Sequence, residues 1–176
     1  MIFIPTFNNI KQLEKYLLQI IADDLLQIIA DVMNEVGQKV EEKLKEHVQK
    51  DVYDVGTAMG RSDYYNGTGE PTGQLKESVV HSKPERRNNE VSTEIYHDSN
   101  RMNYDASTFL HGSNHFTPND VRDMLPYFIN EGKTGGLFGA AWENLKRPYL
   151  TNTFDEIVSK DLVKVWFVQG LKKRGL

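Results

Sequence analysis

The sequence contains no cysteine. That excludes a disulfide framework, a thiol nucleophile and any thiolate metal site. Long apolar runs are also missing. No window approaches the length of a membrane span, so no membrane partner is expected. MIFIPTF at the start lacks the basic region, apolar stretch and small-residue cleavage site of a signal peptide. An excess of positive charge is lacking as well. Against 21 basic residues stand 25 acidic ones, a net charge of -4, which gives no long-range attraction to nucleic acid or to an anionic membrane. The small basic cluster Lys172, Lys173 and Arg174 reads as a solvated tail. No GxSxG elbow occurs. The stretch YYNGTGEPTGQLKESVV at 64–80 has phosphate-loop glycines, but Gly73 is followed by Gln74 and Leu75 where that loop needs Lys and Ser/Thr.

What is present is a globular composition, with 39% hydrophobic and 26% charged residues over 176 positions. It fits one domain spanning 1–176. From 8 to 52 the pattern is helical. Leu13, Leu17, Ile20, Ile21, Leu25, Ile28, Ile29 and Val32 follow the spacing of a helix face. LLQIIAD occurs at 17–23 and again at 25–31, an offset of eight and therefore no heptad. Asp24 with Gln27 resembles a capping box and allows a break near Asp23–Asp24. Val32, Val36, Val40, Leu44, Val48 and Val52 then recur every fourth residue, a stripe that drifts by roughly 40° per step around a straight helix. Unbroken, the segment would run on the order of 65 Å, while a compact chain of this size has a radius of gyration of about 16 Å. The helix must either break or project.

The opening stretch reads as the start of an element: Thr72 caps a short helix, Gly73 makes the turn, and Leu75, Ser78 and Val79 dock. Val79–Lys83 and the alternating EVSTEIYH at 90–97 predict an antiparallel hairpin around a polar turn at Arg86–Asn89. Thr117-Pro118-Asn119-Asp120 opens a short middle helix expected to stop at Pro126. Tyr127–Asn130 then reads as a strand and Gly132–Gly139 as a loop. Thr153 with Glu156 caps a last helix, 151–170, with an apolar face of Phe154, Ile157, Val158, Leu162, Val165 and Trp166, ended by Gly170. The fold class is therefore α+β: an antiparallel sheet, within a core at 72–150, packed by a long N-terminal, a short middle and a C-terminal helix. Segments near 98–125 and 132–146 read as insertions.

Chemistry-bearing clusters are sparse. His111 and His115 stand four apart, with His97 upstream and Asp120 downstream, which makes a metal-dependent hydrolase the enzymatic alternative. Gly112, Ser113 and Asn114 between the two histidines read as a surface loop instead. Tyr64, Tyr65 and Tyr104 lack the basic neighbours of a base-stacking surface. A third alternative is a regulator whose amphipathic helix binds a host protein.

Three stretches in order resemble one family. They are Thr72-Gly73-Gln74-Leu75-Lys76-Glu77-Ser78-Val79, Pro126-Tyr127-Phe128-Ile129-Asn130-Glu131-Gly132 and Arg147-Pro148-Tyr149-Leu150, preceded by a long charged helix. This order is similar to the tail-completion, or neck, proteins of long-tailed bacteriophages, which join the head to the tail. The resemblance implies a non-enzymatic virion protein at the head–tail junction, made in the host cytoplasm and needing no cofactor or metal. It implies a homo-oligomeric ring, six copies by family symmetry, that touches other neck and tail proteins and meets DNA as passing cargo. A neighbouring neck protein, a tail terminator or head-closure protein, is the close alternative. The quoted residues are expected to build the fold, with Arg147 either pairing Glu131, the preferred partner, or reaching a neighbouring subunit. The loop Lys133, Thr134, Gly135, Gly136, Leu137 and Phe138, with the N-terminal helix, is the expected contact surface.

Overall fold

The computed structural model describes residues 9–54, 73–88, 90–102, 118–132 and 146–176, with only the backbone of 118–121. In chain order the elements are α1 (Ile10–His47), a π-helical turn (Val48–Tyr53), α2 (Gln74–Ser78), β1 (Val79–His81), β2 (Glu85–Arg87), β3 (Glu90–Ser92), β4 (Ile95–His97), a 3-10 turn (Ser99–Arg101), α3 (Pro118–Glu131), α4 (Tyr149–Ser159) and α5 (Leu162–Lys173). The class is α+β, as expected.

α1 is one continuous helix, roughly 57 Å long at the helical rise, and does not break at Asp23–Asp24. Leu, Gln, Ile and Ala around that point are compatible with helix, and no glycine or proline stands between Ile10 and Val36. The capping signal had a helix on both sides and capped neither. Asn9 is the true N-cap, its side chain accepting from the Gln12 N–H at 3.0 Å. The helix projects: residues 10–25 are all exposed, and burial begins only near Ala30. From there the four-residue stripe enters the core at Val32, Val36, Leu44, Val48 and Val52. The π-helical turn, closed by Asp54 N–H to Gln49 O at 2.8 Å, is wider than an α-turn. It winds Val48 and Val52 back against the drift of the stripe.

The hairpin is real but interrupted. β1 pairs with β4 (Val79 opposite His97, His81 opposite Ile95), and β2 pairs with β3 (Glu85 opposite Ser92, Arg87 opposite Glu90), all antiparallel. Two small two-stranded sheets thus replace the expected single one. Between them Ser82–Pro84 face Thr93–Glu94, one residue more on the first arm, which is a bulge. Pro84 has no N–H to give a ladder. Ser82 bridges the gap instead, its N–H reaching Glu94 O at 2.8 Å and its carbonyl accepting the Thr93 hydroxyl at 2.8 Å. The expected turn at Arg86–Asn89 is shorter, because Arg86 and Arg87 lie in β2; Asn88, at φ 56°, makes the reversal.

Close helix contacts fix the layers. A Cβ on Gly37 would lie 3.1 Å from His81 Cδ2 and from Thr93 Oγ1, so α1 and the hairpin approach where α1 has no side chain. Glu41 secures that approach, accepting the His81 N–H at 3.1 Å and facing its ring Nδ1 at 2.5 Å. Gly170 does not end the last helix. It is buried inside α5, where a Cβ would meet Val32 Cγ1 at 2.7 Å. Gly170→Ala is therefore expected to lower the unfolding free energy by about 1–3 kcal/mol, despite alanine's better helix propensity. An unchanged urea midpoint would mean that α5 steps back from Val32 at no cost. Arg174 extends the seam, donating to Glu35 Oε1 at 2.8 Å.

Two further expectations are corrected. The middle helix does not stop at Pro126: α3 runs to Glu131, so Tyr127–Asn130 is helix and not strand. An interior proline costs about 3 kcal/mol, but Leu125 and Ile129 on either side of it are buried in the core and hold the helix through it. The last helix is two helices. α4 begins at Tyr149, earlier than Thr153, and the chain turns at Asp161 (φ 49°) before α5. Thr153 caps nothing; its hydroxyl donates to Tyr149 O at 2.6 Å within α4.

Candidate functional site

The three stretches that carry the resemblance meet at one buried junction. Leu75, Val79, Leu125, Ile129 and Tyr149 belong to a single core cluster with Leu44, Val48, Val52, Tyr53 and Met102. Gly73, at φ 79°, has the left-handed conformation that turns the chain into α2. Leu75 and Ser78 are then carried inward on the short helix. Thr72 lies outside the described residues.

His97 ties this junction together, and sequence reading had offered it only as a metal ligand. Its Nδ1 is 2.7 Å from Ser78 Oγ and its Nε2 is 3.0 Å from Tyr149 Oη. Ser78 Oγ also lies 2.7 Å from Leu75 O, and Tyr149 Oη lies 3.3 Å from Pro126 O. Each hydroxyl has one proton. Of the two Tyr149 contacts the one to His97 Nε2 is the shorter, which assigns the Tyr149 proton there; the ring then carries its own proton on Nδ1 and donates it to Ser78, whose hydroxyl donates to Leu75 O. Burial pushes the His97 imidazolium down to about 4. The ring is therefore neutral at ordinary pH. A Ser–His contact invites comparison with a nucleophile pair, but Ser78 has no exposed surface and its proton is held by Leu75 O.

The remaining motif residues close the same junction. Gly132, at φ 66°, ends α3, its N–H returning to Phe128 O at 2.8 Å. Asn130 Oδ1 accepts the Leu150 N–H at 3.0 Å, which joins α3 to α4. Pro148 stands at the N-cap of α4. Arg147 does not take the Glu131 partner expected of it. Its guanidinium donates to Val52 O at 2.7 Å, at the open end of the π-helical turn, while Glu131 is 3.6 Å from Lys146. Tyr127, one of the quoted residues expected to build the fold, is about half exposed.

A second polar cluster went unseen in the sequence. His47 Nδ1 is 2.8 Å from Asp51 Oδ2 and its Nε2 is 2.9 Å from Glu156 Oε2. Asn152 donates to Asp51 at 2.9 Å. Hydrogen bonds from Lys160 and His47 hold the Glu156 carboxyl down at about 2. Burial raises Asp51, yet the bonds from Asn152 and His47 outweigh it and hold the group below its ordinary range. The signal was present in His47 and Asp51, four apart on one helical face, but nothing local points to Glu156.

Two apolar faces remain on the outside. One is the projecting half of α1, with Ile10, Leu18 and Ile21 each 60% exposed or more. The other runs along α4 and α5, where Phe154, Val158 and Val165 are exposed although the periodicity assigned them to the core. The loop Lys133–Phe138 and the histidines His111 and His115 lie outside the described residues, as does the side chain of Asp120. Both His97 ring nitrogens are already committed. Among the described residues no group of three or more His, Asp or Glu is placed to hold a metal, and no helix is long and apolar enough to cross a membrane.

A long projecting helix, a docked hairpin and a sealed polar junction define an α+β scaffold whose recognisable residues build the fold. The chain belongs to the YomN family, whose model matches residues 9–173. That membership points to a phage-derived protein. No curated protein and no solved structure matches the chain.

Proposed function

We propose that the protein is a non-catalytic structural component of a tailed-phage virion that joins the tail to the head as a ring of tail-completion subunits. The observation that carries this reading is the convergence of the three motif stretches on one junction: Ser78, Pro126 and Tyr149 share a hydrogen-bonded chain through His97. Residues spread over the chain are needed together to build one shape, and the large apolar surface is left outside it. Ring closure needs two different patches on each subunit. The projecting half of α1 and the α4–α5 face are two such patches, and the loop at 133–138 adds a third candidate. Six copies, neighbouring neck and tail proteins as partners, a virion location and DNA as passing cargo follow from the resemblance and form part of the proposal.

Deletion of the gene from its phage, with electron microscopy of the lysate, tests it. Filled heads beside separate, finished tails are expected. Overlong tails would move the protein to tail termination, and heads that lose their DNA to head closure. Normal infectious particles would remove the virion reading altogether.

A further inference from the structure

We propose that the outer edge of the second hairpin arm, 90–97, docks an extended segment of another protein, in which basic and apolar residues alternate, as an added strand. Glu94 turns both its backbone groups toward the first arm, 79–87: its carbonyl accepts the Ser82 N–H at 2.8 Å and its N–H donates to Ser82 Oγ at 3.0 Å. The Asp98 N–H points the same way, to Ser78 O at 2.7 Å. The bulge lies on the first arm, so the alternation along the second is unbroken. Val91, Thr93, Ile95 and His97 therefore turn their N–H and C=O groups away from the hairpin. Among the described residues none of these groups has a hydrogen-bond partner. The first arm is closed by contrast. Its Val79 N–H is taken by Lys76 O, its His81 N–H by Glu41 of α1, and Pro84 has none to give. Proline, bulges and covering elements are the usual means of blunting an edge. This hairpin applies all of them to one edge and leaves the other open.

Side chains choose the occupant. Val91, Thr93 and Ile95 share the face turned to α1, where the Thr93 side chain lies against Gly37. The opposite face carries Glu90, Ser92, Glu94 and Tyr96. Glu85, Glu90 and Glu94 line one recess there. The single cation among its lining residues, Arg87, is bonded to Glu85 at 2.9 Å. A strand laid alongside sends its side chains to the two faces in turn. Basic residues on one face meet the glutamates, and apolar residues on the other extend the row of Val91 and Ile95. A second copy of this edge fits badly. Outward-bonding residues pair with outward-bonding residues, so the glutamates of both copies gather on one face in every register. Main-chain bonds thus supply the affinity and the alternating side chains the selectivity. The proposal stands apart from the neck reading: absence from virions would leave the edge open, and a closed edge would leave the neck reading standing.

Amide hydrogen exchange of the full chain, read by NMR, tests this, with a capped peptide of alternating lysine and valine, about eight residues long, as the probe. In the free chain the Val91, Thr93 and Ile95 amides should exchange at least about tenfold faster than the Tyr96 amide, which faces Val80 across the ladder. Saturating peptide should slow them to the Tyr96 rate. The same peptide N-methylated at alternate amides should bind about tenfold more weakly or worse, because the added strand then lacks its donors. A glutamate–valine peptide should not bind. Glu90→Lys with Glu94→Lys, both at exposed positions, should reverse the preference between the two peptides. Slow exchange of the outward amides in the free monomer overturns the inference, since the edge is then already covered. So does a lysine–valine peptide that fails to bind, or an N-methylated one that binds as tightly as its parent. Protection of the same amides in a concentration-dependent dimer overturns it too, and makes the occupant a second copy.

Discussion

Tyr149→Ala is expected to cost about 3–5 kcal/mol, as for a large aromatic removed from a packed core. Tyr149 has no exposed surface and stands where α2, the hairpin, α3 and α4 meet. The ring meets His97 edge to face at 5.8 Å between centroids, and the hydroxyl lies within hydrogen-bond reach of His97 Nε2 and Pro126 O. Alanine leaves a cavity and strands those polar atoms together. Tyr149→Phe keeps the ring and removes the hydroxyl alone, with an expected cost of about 1–3 kcal/mol from the unpartnered buried group. Urea denaturation of both variants separates packing from hydrogen bonding. If the alanine variant lost under 1 kcal/mol, the junction would not be the structural centre of the fold.

Acid should weaken the folded state well before the carboxylates titrate. Burial holds the His97 imidazolium at about 4, against 6.5 for the free side chain. As pH falls below 6.5 the unfolded chain takes up a proton that the folded chain refuses until about 4. The unfolded state then binds more protons, so stability falls with pH across that window, by about 3 kcal/mol in all. Glu156 acts lower on the scale. Its folded value of about 2 lies under its unfolded 4.5, so its contribution is complete above 4.5 and is lost as pH falls toward 2. His97→Gln should therefore remove the loss between pH 6.5 and 4 and keep the loss below it. Parallel slopes for wild type and variant between pH 6.5 and 4 would show that the ring is not held neutral by burial.

The protonated ring would not lack acceptors. Ser78 Oγ and Tyr149 Oη can both receive its protons while passing their own to Leu75 O and Pro126 O. The resistance to protonation is the cost of placing a charge among buried apolar side chains. No carboxylate is among the ring's hydrogen-bond partners within the described residues.

Local pattern carried much of the architecture. The period of α1, the alternation of Val91, Thr93 and Ile95 against Ser92, Glu94 and Tyr96, and the glycine turn at Gly73 were legible because each depends on neighbours within a few residues. The buried stripe from Val32 to Val52 was legible for the same reason. The choice between a broken and a projecting α1 was framed by length and by the capping signal of Asp24 with Gln27, and the uninterrupted helix from Ile10 to His47 decided it.

Tertiary structure decided the rest. Pro126 signals a stop, yet Leu125 and Ile129 reach the core on either side and α3 continues. Gly170 signals an end, yet it lies in mid-helix because Val32 leaves no room for a side chain. Thr153 and Glu156 spell a cap, yet one bonds within α4 and the other faces His47, 109 residues away in sequence. Periodicity told which side of α4 and α5 is apolar; it could not tell that Phe154 and Val158 would stay uncovered. Sequence sets the chemistry a residue offers its neighbours. Which neighbours it meets depends on contacts between distant segments, whose energies outweigh the local preferences they override.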